Sequence, residues 1–263
     1  MILTLPDSPM ETLLSVIPLI TLLIGLAYFF APTRMLGSMG LEAKSGVPSA
    51  IGEGRSSFAG FLIGLSLACL LLQEPSVQQP ALTFALGASW LIAALGKVIY
   101  IALDGARSKN LYITLLLAFI MGALALWLAE PIGTNLNTPG NNAETYVFIV
   151  AILTVLYGLA ALVFPRALFR LFGLQAKISK PWAYGSLRGE LAGFHIGVGG
   201  TYLFATNTLF IGLALGICWI CTVFGRMIAM LSDRGNTIGN WILLLIEIGF
   251  ASVVIASILG FVS

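Results

Sequence analysis

Eight stretches of this chain, at about 13–31, 54–72, 81–103, 111–129, 144–164, 187–205, 208–231 and 239–262, are apolar over the length of a membrane span or nearly so. A helix needs roughly 20 mainly apolar residues to cross ~30 Å of hydrocarbon. Backbone groups in hydrocarbon must find partners within the protein, which leaves helices or a closed barrel. No strand-length alternation of polar and apolar residues is present, so helices are expected. Only 9% of the 263 residues are charged and 59% are hydrophobic, whereas a soluble domain is about one-quarter charged. A net charge of +2 with no basic patch interleaved with aromatics excludes nucleic acid as a partner. Cys69, Cys218 and Cys221 all fall in apolar runs and make no disulfide framework.

The breaks between runs carry their own signals. Ala31-Pro32 and Phe164-Pro165 end the first and fifth runs, because proline disfavours helical geometry in the residue before it. Pro131 to Asn142 is rich in Gly, Asn, Thr and Pro and reads as a linker. The leading residues hold Asp7 and Glu11 with no basic residue, so the first run is expected to be a retained span, not a cleaved signal.

The chain also repeats. Gly52, Arg55, Gly60, Phe61 and Gly64 return without a gap as Gly185, Arg188, Gly193, Phe194 and Gly197. At the same spacing Pro32, Gly40-Leu41 and Ala43-Lys44 return as Pro165, Gly173-Leu174 and Ala176-Lys177. In the third run of each half the spacing is slightly shorter, and there Gly87, Trp90, Gly96, Lys97 and Asp104 match Gly216, Trp219, Gly225, Arg226 and Asp233. The expected fold is an all-α integral membrane protein of eight transmembrane helices, arranged as two tandem four-helix repeats of parallel topology. The first repeat covers 1–130, a linker 131–143, and the second repeat 144–263. An even number of spans per repeat relates the halves by a pseudo-twofold axis along the membrane normal.

All 13 basic residues lie toward one face of this arrangement, in loops 32–55 and 165–188 and at the ends of the third and seventh runs. The positive-inside rule makes that face cytoplasmic and sends both termini outward. Phe164 to Phe172 reads as a short amphipathic helix on the cytoplasmic leaflet. Arg166 and Arg170 would face anionic lipid, with Leu168, Leu171 and Phe172 able to face the bilayer.

The proline-ended first helix at Pro32, the Gly40-Leu41 turn, Glu53-x-Arg55, Gly60 and Gly96-Lys97…Asp104 resemble the pattern of an uncharacterised bacterial multi-pass membrane family, a domain of unknown function. The unit is also similar to the DoxX-like group of four-helix membrane proteins. The resemblance implies a bacterial inner-membrane location, and some members of that group are linked to quinone-coupled sulfur oxidation or to maturation of redox enzymes. The second half departs from the pattern, with Ser186-x-Arg188 and the acid displaced to Glu190.

Ionisable groups within spans cost ~2.5–3.5 kcal/mol or more unless paired or hydrated, which makes them site candidates. Arg188, Glu190, His195, Arg226, Asp233 and Glu247 all fall toward the cytoplasmic third of the second half, as ligand-binding or proton-relay candidates. His195 lies roughly 10 Å deep and Glu247 roughly 12 Å deep, at about 1.5 Å per residue. The first half has Leu62 and Ala118 at those places. Its Glu53, Arg55, Lys97 and Asp104 read as structural charge pairs, with Arg55 expected on Asp104 and Arg188 on Asp233. Gly60, Gly64, Gly193 and Gly197 are expected to let helices approach closely. Cys218-Trp-Ile-Cys221 has redox spacing but sits mid-helix, where burial disfavours a thiolate. A single histidine builds no His-rich metal site, and no cofactor is required by the sequence.

These features favour a non-enzymatic membrane protein. It would be an accessory subunit of a membrane complex or a lipid- or quinone-binding module, with membrane lipids and other membrane-protein subunits as partners. A small proton-coupled transporter using the second-half charges and a DoxX-like membrane oxidoreductase or isomerase are the alternatives.

Overall fold

The computed structural model describes residues 9–72, 80–104, 108–133, 135–177, 180, 183–205 and 208–261. Among these the chain forms ten α-helices and one two-stranded ribbon. In order these are α1 (Pro9–Phe30), α2 (Pro32–Ser38), β1 (Leu41–Ala43), α3 (Ala59–Leu72), α4 (Pro80–Asp104) and α5 (Lys109–Leu128). They are followed by α6 (Asn142–Val163), α7 (Pro165–Leu171), β2 (Leu174–Ala176), α8 (Ala183–Phe204), α9 (Leu209–Ser232) and α10 (Ile238–Ile258). Arg107, one of the basic residues counted above, lies outside the described residues.

Local chemistry sets several boundaries. Pro32 and Pro165 stand at the first position of α2 and α7, where a missing N–H costs nothing. Asn141 caps α6 by accepting from Glu144 N at 2.8 Å, and its amide donates back to Glu144 Oε1 at 3.1 Å. Such a side-chain oxygen satisfies a backbone donor that the first turn leaves open. Thr237 caps α10 in the same way by accepting from Asn240 N. Ahead of α3 the chain is irregular, with a 3₁₀ turn at Pro48–Ile51 and a π-helical turn at Gly54–Phe58. π turns inside helices often coincide with functional sites, and this one carries Arg55 between the buried Glu53 and Ser57.

Among the described residues seven helical segments are long and apolar enough to cross a membrane: Thr12–Phe30, Pro48–Leu72, Pro80–Leu103, Lys109–Leu128, Asn142–Val163, Leu209–Ser232 and Ile238–Ile258. The protein is therefore a multi-pass membrane protein. Its polarity is inverted relative to a soluble fold. On α10, Trp241, Ile242, Leu245 and Ile246 are exposed, while Asn240 and Glu247 are buried. The 22-residue α8 is not among the seven; it carries Arg188, Glu190, His195 and several glycines.

Packing joins the two halves of the chain. α3 lies along α9, and α8 lies along α4 and α6. The glycines explain how closely. A Cβ at Gly60 would stand 2.6 Å from Thr222 Cα, and one at Gly64 would run into the backbone of Cys218. At Gly193 it would meet Ala93 N at 2.7 Å, and at Gly197 Ser89 Cα at 2.7 Å. All four expected packing glycines thus sit at backbone-to-backbone contacts, as small residues in membrane helices do. Cys218 is one wall of such a contact and is fully buried; Cys221 is half-buried, and both are free thiols.

The ribbon is not expected from the sequence. Three residues on each side pair antiparallel, with Leu41 opposite Ala176, Glu42 opposite Gln175 and Ala43 opposite Leu174. Strands this short carry no legible alternation, and the pairing appears only once the two halves meet. Gly40 and Gly173 precede the strands in the left-handed region, at positive φ, a conformation open to glycine at little cost. The linker is pinned too, with Asn135 N and Asn137 N donating to Phe204 O and Leu203 O at the end of α8.

Candidate functional site

Three groups of charge, two buried and one half-buried, lie at the end of the bundle that carries the ribbon, and each is built from both halves. The first is Arg55 with Asp233. Arg55 Nε is 2.7 Å from Asp233 Oδ2, and Arg55 Nη1 donates to Phe29 O. This corrects the expected pairing within each half. Asp233 belongs to Arg55, not Arg188, because the π turn that carries Arg55 and the α3 helix after it pack chiefly on α9, whereas α8 packs chiefly on α4 and α6. The Arg188 guanidinium instead lies over the Tyr100 ring at 5.6 Å. Asp104 ends α4; its side chain lies outside the described residues.

The second group is Lys97, Glu190 and Tyr28. Lys97 Nζ is 3.5 Å from Glu190 Oε1, and Tyr28 Oη donates to Glu190 Oε2 at 2.8 Å. Lys97 is fully buried. Among the described residues one cation meets one carboxylate here.

The third group is Arg226 between two carboxylates. Its Nε and Nη2 donate to Glu247 Oε2 and Oε1 at 2.8 and 2.7 Å, a bidentate fork. Its Nη1 donates to Glu53 Oε1 at 2.8 Å and to Asn240 Oδ1 at 3.0 Å. Ser57 Oγ donates to Glu53 Oε2 at 2.7 Å, and Asn240 Nδ2 is held by Gly235 O at 2.7 Å. Relative exposures of 2% for Arg226, 4% for Glu53 and 5% for Glu247 place all three away from solvent. A planar guanidinium suits this role, since its fixed fork meets two carboxylates at once where an ammonium is a single point charge. Glu53, read from the sequence as a first-half structural charge, is therefore part of the second-half site. Glu190 goes the other way and serves Lys97.

A cavity of about 100 Å³ opens beside Arg226. Ser57, Thr222, Arg226, Glu247 and His195 supply its polar wall. Tyr157, Phe172, Trp219 and Phe250 supply aromatic walls, and Leu243 and Ile246 of α10 border it on the outside, where Ile246 is 46% exposed. His195 is 1% exposed and stacks on Phe61, with ring centroids 3.8 Å apart, and near Tyr157 at 4.7 Å. Its Nδ1 is 2.7 Å from Leu191 O. A carbonyl oxygen only accepts, so Nδ1 carries the proton in the neutral ring and Nε2 keeps the lone pair. Trp219 Nε1 is tied to Thr154 Oγ1 at 3.2 Å and packs on Phe250 at 5.0 Å.

Of the six second-half candidates, the structure brings His195, Arg226 and Glu247 to one cavity. It sends Glu190 and Asp233 to other partners and leaves Arg188 on Tyr100. Phe172, expected toward lipid, turns inward to line the cavity because the turn after α7 folds it over Tyr157; Leu171 beside it is 78% exposed. Tyr157, Trp219, Phe250, Ser57 and Thr222 are site residues that the sequence reading misses. One signal is available for the aromatics: at the repeat spacings, Tyr157, Phe172 and Phe250 replace Ile24, Met39 and Met121.

No family model, curated protein or solved structure matches this chain.

Proposed function

We propose that this chain is an eight-span membrane protein of two tandem four-helix repeats that acts as a binding module for a small amphiphile. The amphiphile's polar head enters the cavity between α6, α8, α9 and α10, and its tail leaves past Leu243 and Ile246 into the bilayer. One observation carries this reading: a polar pocket with an aromatic wall and an apolar border, most of whose polar and aromatic residues, Trp219 apart, are replaced in the other copy. The first-half counterparts of His195, Thr222, Glu247 and Phe250 are Leu62, Ala93, Ala118 and Met121.

The tandem repeat is supported by contacts that recur at the sequence spacings. Trp90 Nε1 donates to Thr21 Oγ1 as Trp219 Nε1 does to Thr154 Oγ1. Gly25 meets Ile63 as Gly158 meets Ile196, and Gly87 meets Leu126 as Gly216 meets Ile255. At the centre of the ribbon, Glu42 pairs with Gln175, its own counterpart in the second repeat, as a local twofold axis requires. α8 counts as the eighth span in this reading. Its 22 residues reach about 33 Å at about 1.5 Å each, and its charges are enclosed by α4, α6 and α9. The basic end is taken as cytoplasmic, with both termini on the other side.

Binding fits better than catalysis because the charged groups are committed to one another. Both carboxylates already sit on Arg226, which leaves His195 Nε2 as the one base of the wall. A proton-coupled carrier is the second reading. It is favoured by a further cavity of about 260 Å³ at the opposite end of the same helices, lined by Glu144, Tyr202, Thr208 and Ser257. Tyr202 lies two helical turns beyond His195 on α8, and Ser257 two turns beyond Phe250 on α10, roughly 10 Å in each case.

Native mass spectrometry of protein extracted with its surrounding lipid tests the binding reading. A defined extra mass should accompany the wild type and be lost from Leu243→Trp, whose indole fills the entrance. Equal retention of the same molecule by both proteins would defeat the assignment of the site.

A further inference from the structure

We infer that the head taken by this cavity is an organic ammonium, an alkylated or primary amine in its charged form carrying an apolar tail. The inference rests on the amphiphile-binding reading above and adds the charge class of the ligand.

The first argument is charge balance. Glu53 and Glu247 together bring two carboxylates against the single guanidinium of Arg226, so the ionised cluster holds one excess negative charge. Among the described residues the other pairs, the half-buried Arg55 with Asp233 and the buried Lys97 with Glu190, are each one-to-one. A buried charge without a counterion is costly, so a cation entering beside Glu247 completes the cluster, while a phosphate or carboxylate head would worsen the imbalance.

The second argument is the wall. Tyr157, Phe172, Trp219 and Phe250 line the cavity, and cations are attracted to aromatic rings, most strongly to Trp and Tyr. Trp219 and Phe250 pack edge to face at 70° with centroids 5.0 Å apart, so they adjoin as one corner of the wall. The third is the acceptor. His195, more than nine-tenths buried, lines the cavity with Nε2 holding a lone pair and no hydrogen-bond partner among the described residues. An N–H of an ammonium would satisfy it.

The three features arrive together. At the repeat spacings, Ile24, Met39, Leu62, Ala118 and Met121 become Tyr157, Phe172, His195, Glu247 and Phe250. Packing alone asks for no such coincidence of aromatic and acidic replacements around one void. The volume of about 100 Å³ suits a head group and not a chain, since a water's share of liquid is ~30 Å³. The tail must then lie outside, along α10.

Isothermal titration of the whole protein in neutral maltoside micelles tests this with four six-carbon probes: hexylammonium, hexyltrimethylammonium, hexanol and hexyl sulfate. Saturable binding of one cationic probe per chain is expected, at least about tenfold tighter than hexanol, with hexyl sulfate weakest. Hexylammonium ahead of hexyltrimethylammonium assigns the His195 hydrogen bond; the reverse order assigns the aromatic wall, and either supports an ammonium. Phe250→Leu leaves the ion cluster intact and should weaken cations about threefold or more while sparing hexanol. Glu247→Gln should abolish the preference. Hexanol bound as tightly as the cations and lost from Leu243→Trp would overturn the ammonium assignment and keep the amphiphile site. No probe distinguishing wild type from Leu243→Trp would overturn both.

Discussion

Replacing Arg226 by methionine should be among the most damaging single changes in this chain, and replacing its partners as well should undo the damage. Arg226 makes two hydrogen bonds to Glu247, at 2.7 and 2.8 Å, two to Glu53, at 2.8 and 3.4 Å, and one to Asn240, at 3.0 Å. With methionine there, the apolar contacts of the stem survive, but two buried carboxylates face each other with no cation. Removing one partner from a buried ion pair costs about 3–5 kcal/mol, because the remaining charge stays desolvated. Two stranded carboxylates put Arg226→Met at the upper end of that range. The triple variant Glu53→Gln, Arg226→Met, Glu247→Gln removes all three charges at similar volume and should return to within about 1–2 kcal/mol of wild type, since buried ion clusters contribute little net stability against neutral replacements. Arg226→Lys should fall between, because an ammonium cannot fork to both carboxylates. Reversible unfolding in mixed micelles, followed by helical circular dichroism, gives the free energies. Arg226→Met within about 1 kcal/mol of wild type, or a triple variant no better than the single one, would refute the argument that these charges are buried and mutually dependent.

Three further outcomes are expected. Gly64→Val should cost about 1–3 kcal/mol through overpacking against the Cys218 backbone, whereas Gly249→Ala, whose new Cβ meets open space, should be neutral or slightly stabilising in the same unfolding assay. A double-mutant cycle of Arg55→Met with Asp233→Asn should give a coupling of about 0.5–3 kcal/mol, and pairing Arg55→Met with Asp104→Asn should give close to none. In intact cells, Thr138→Cys in a background lacking the native cysteines should react with an impermeant maleimide, and Lys177→Cys only after permeabilisation; the opposite pattern would invert the orientation.

The helices are legible because their signals are local. Pro32 and Pro165 mark the ends of α1 and α6 by ring geometry, and the apolar runs mark spans by composition. The glycines are legible as packing residues because only a missing side chain lets backbones meet as closely as at Gly64 and Cys218. Partners are not legible. A repeat that closed on itself would put Arg55 on Asp104, yet Arg55 reaches Asp233 because the second helix of one half packs on the third of the other. Glu53 and Glu190 are exchanged between halves for the same reason. The three-residue strands fall below any pattern length, and their pairing waits on tertiary contact.

Composition and spacing determined that this chain lives in a membrane as helices and which residue types fall near the span ends. Those properties depend on residue type and sequence distance alone. Only the tertiary structure decided which charges meet, because ion pairing depends on which helix faces which. That choice leaves Lys97 matched by one carboxylate and Arg226 flanked by two, with an aromatic cavity beside the second.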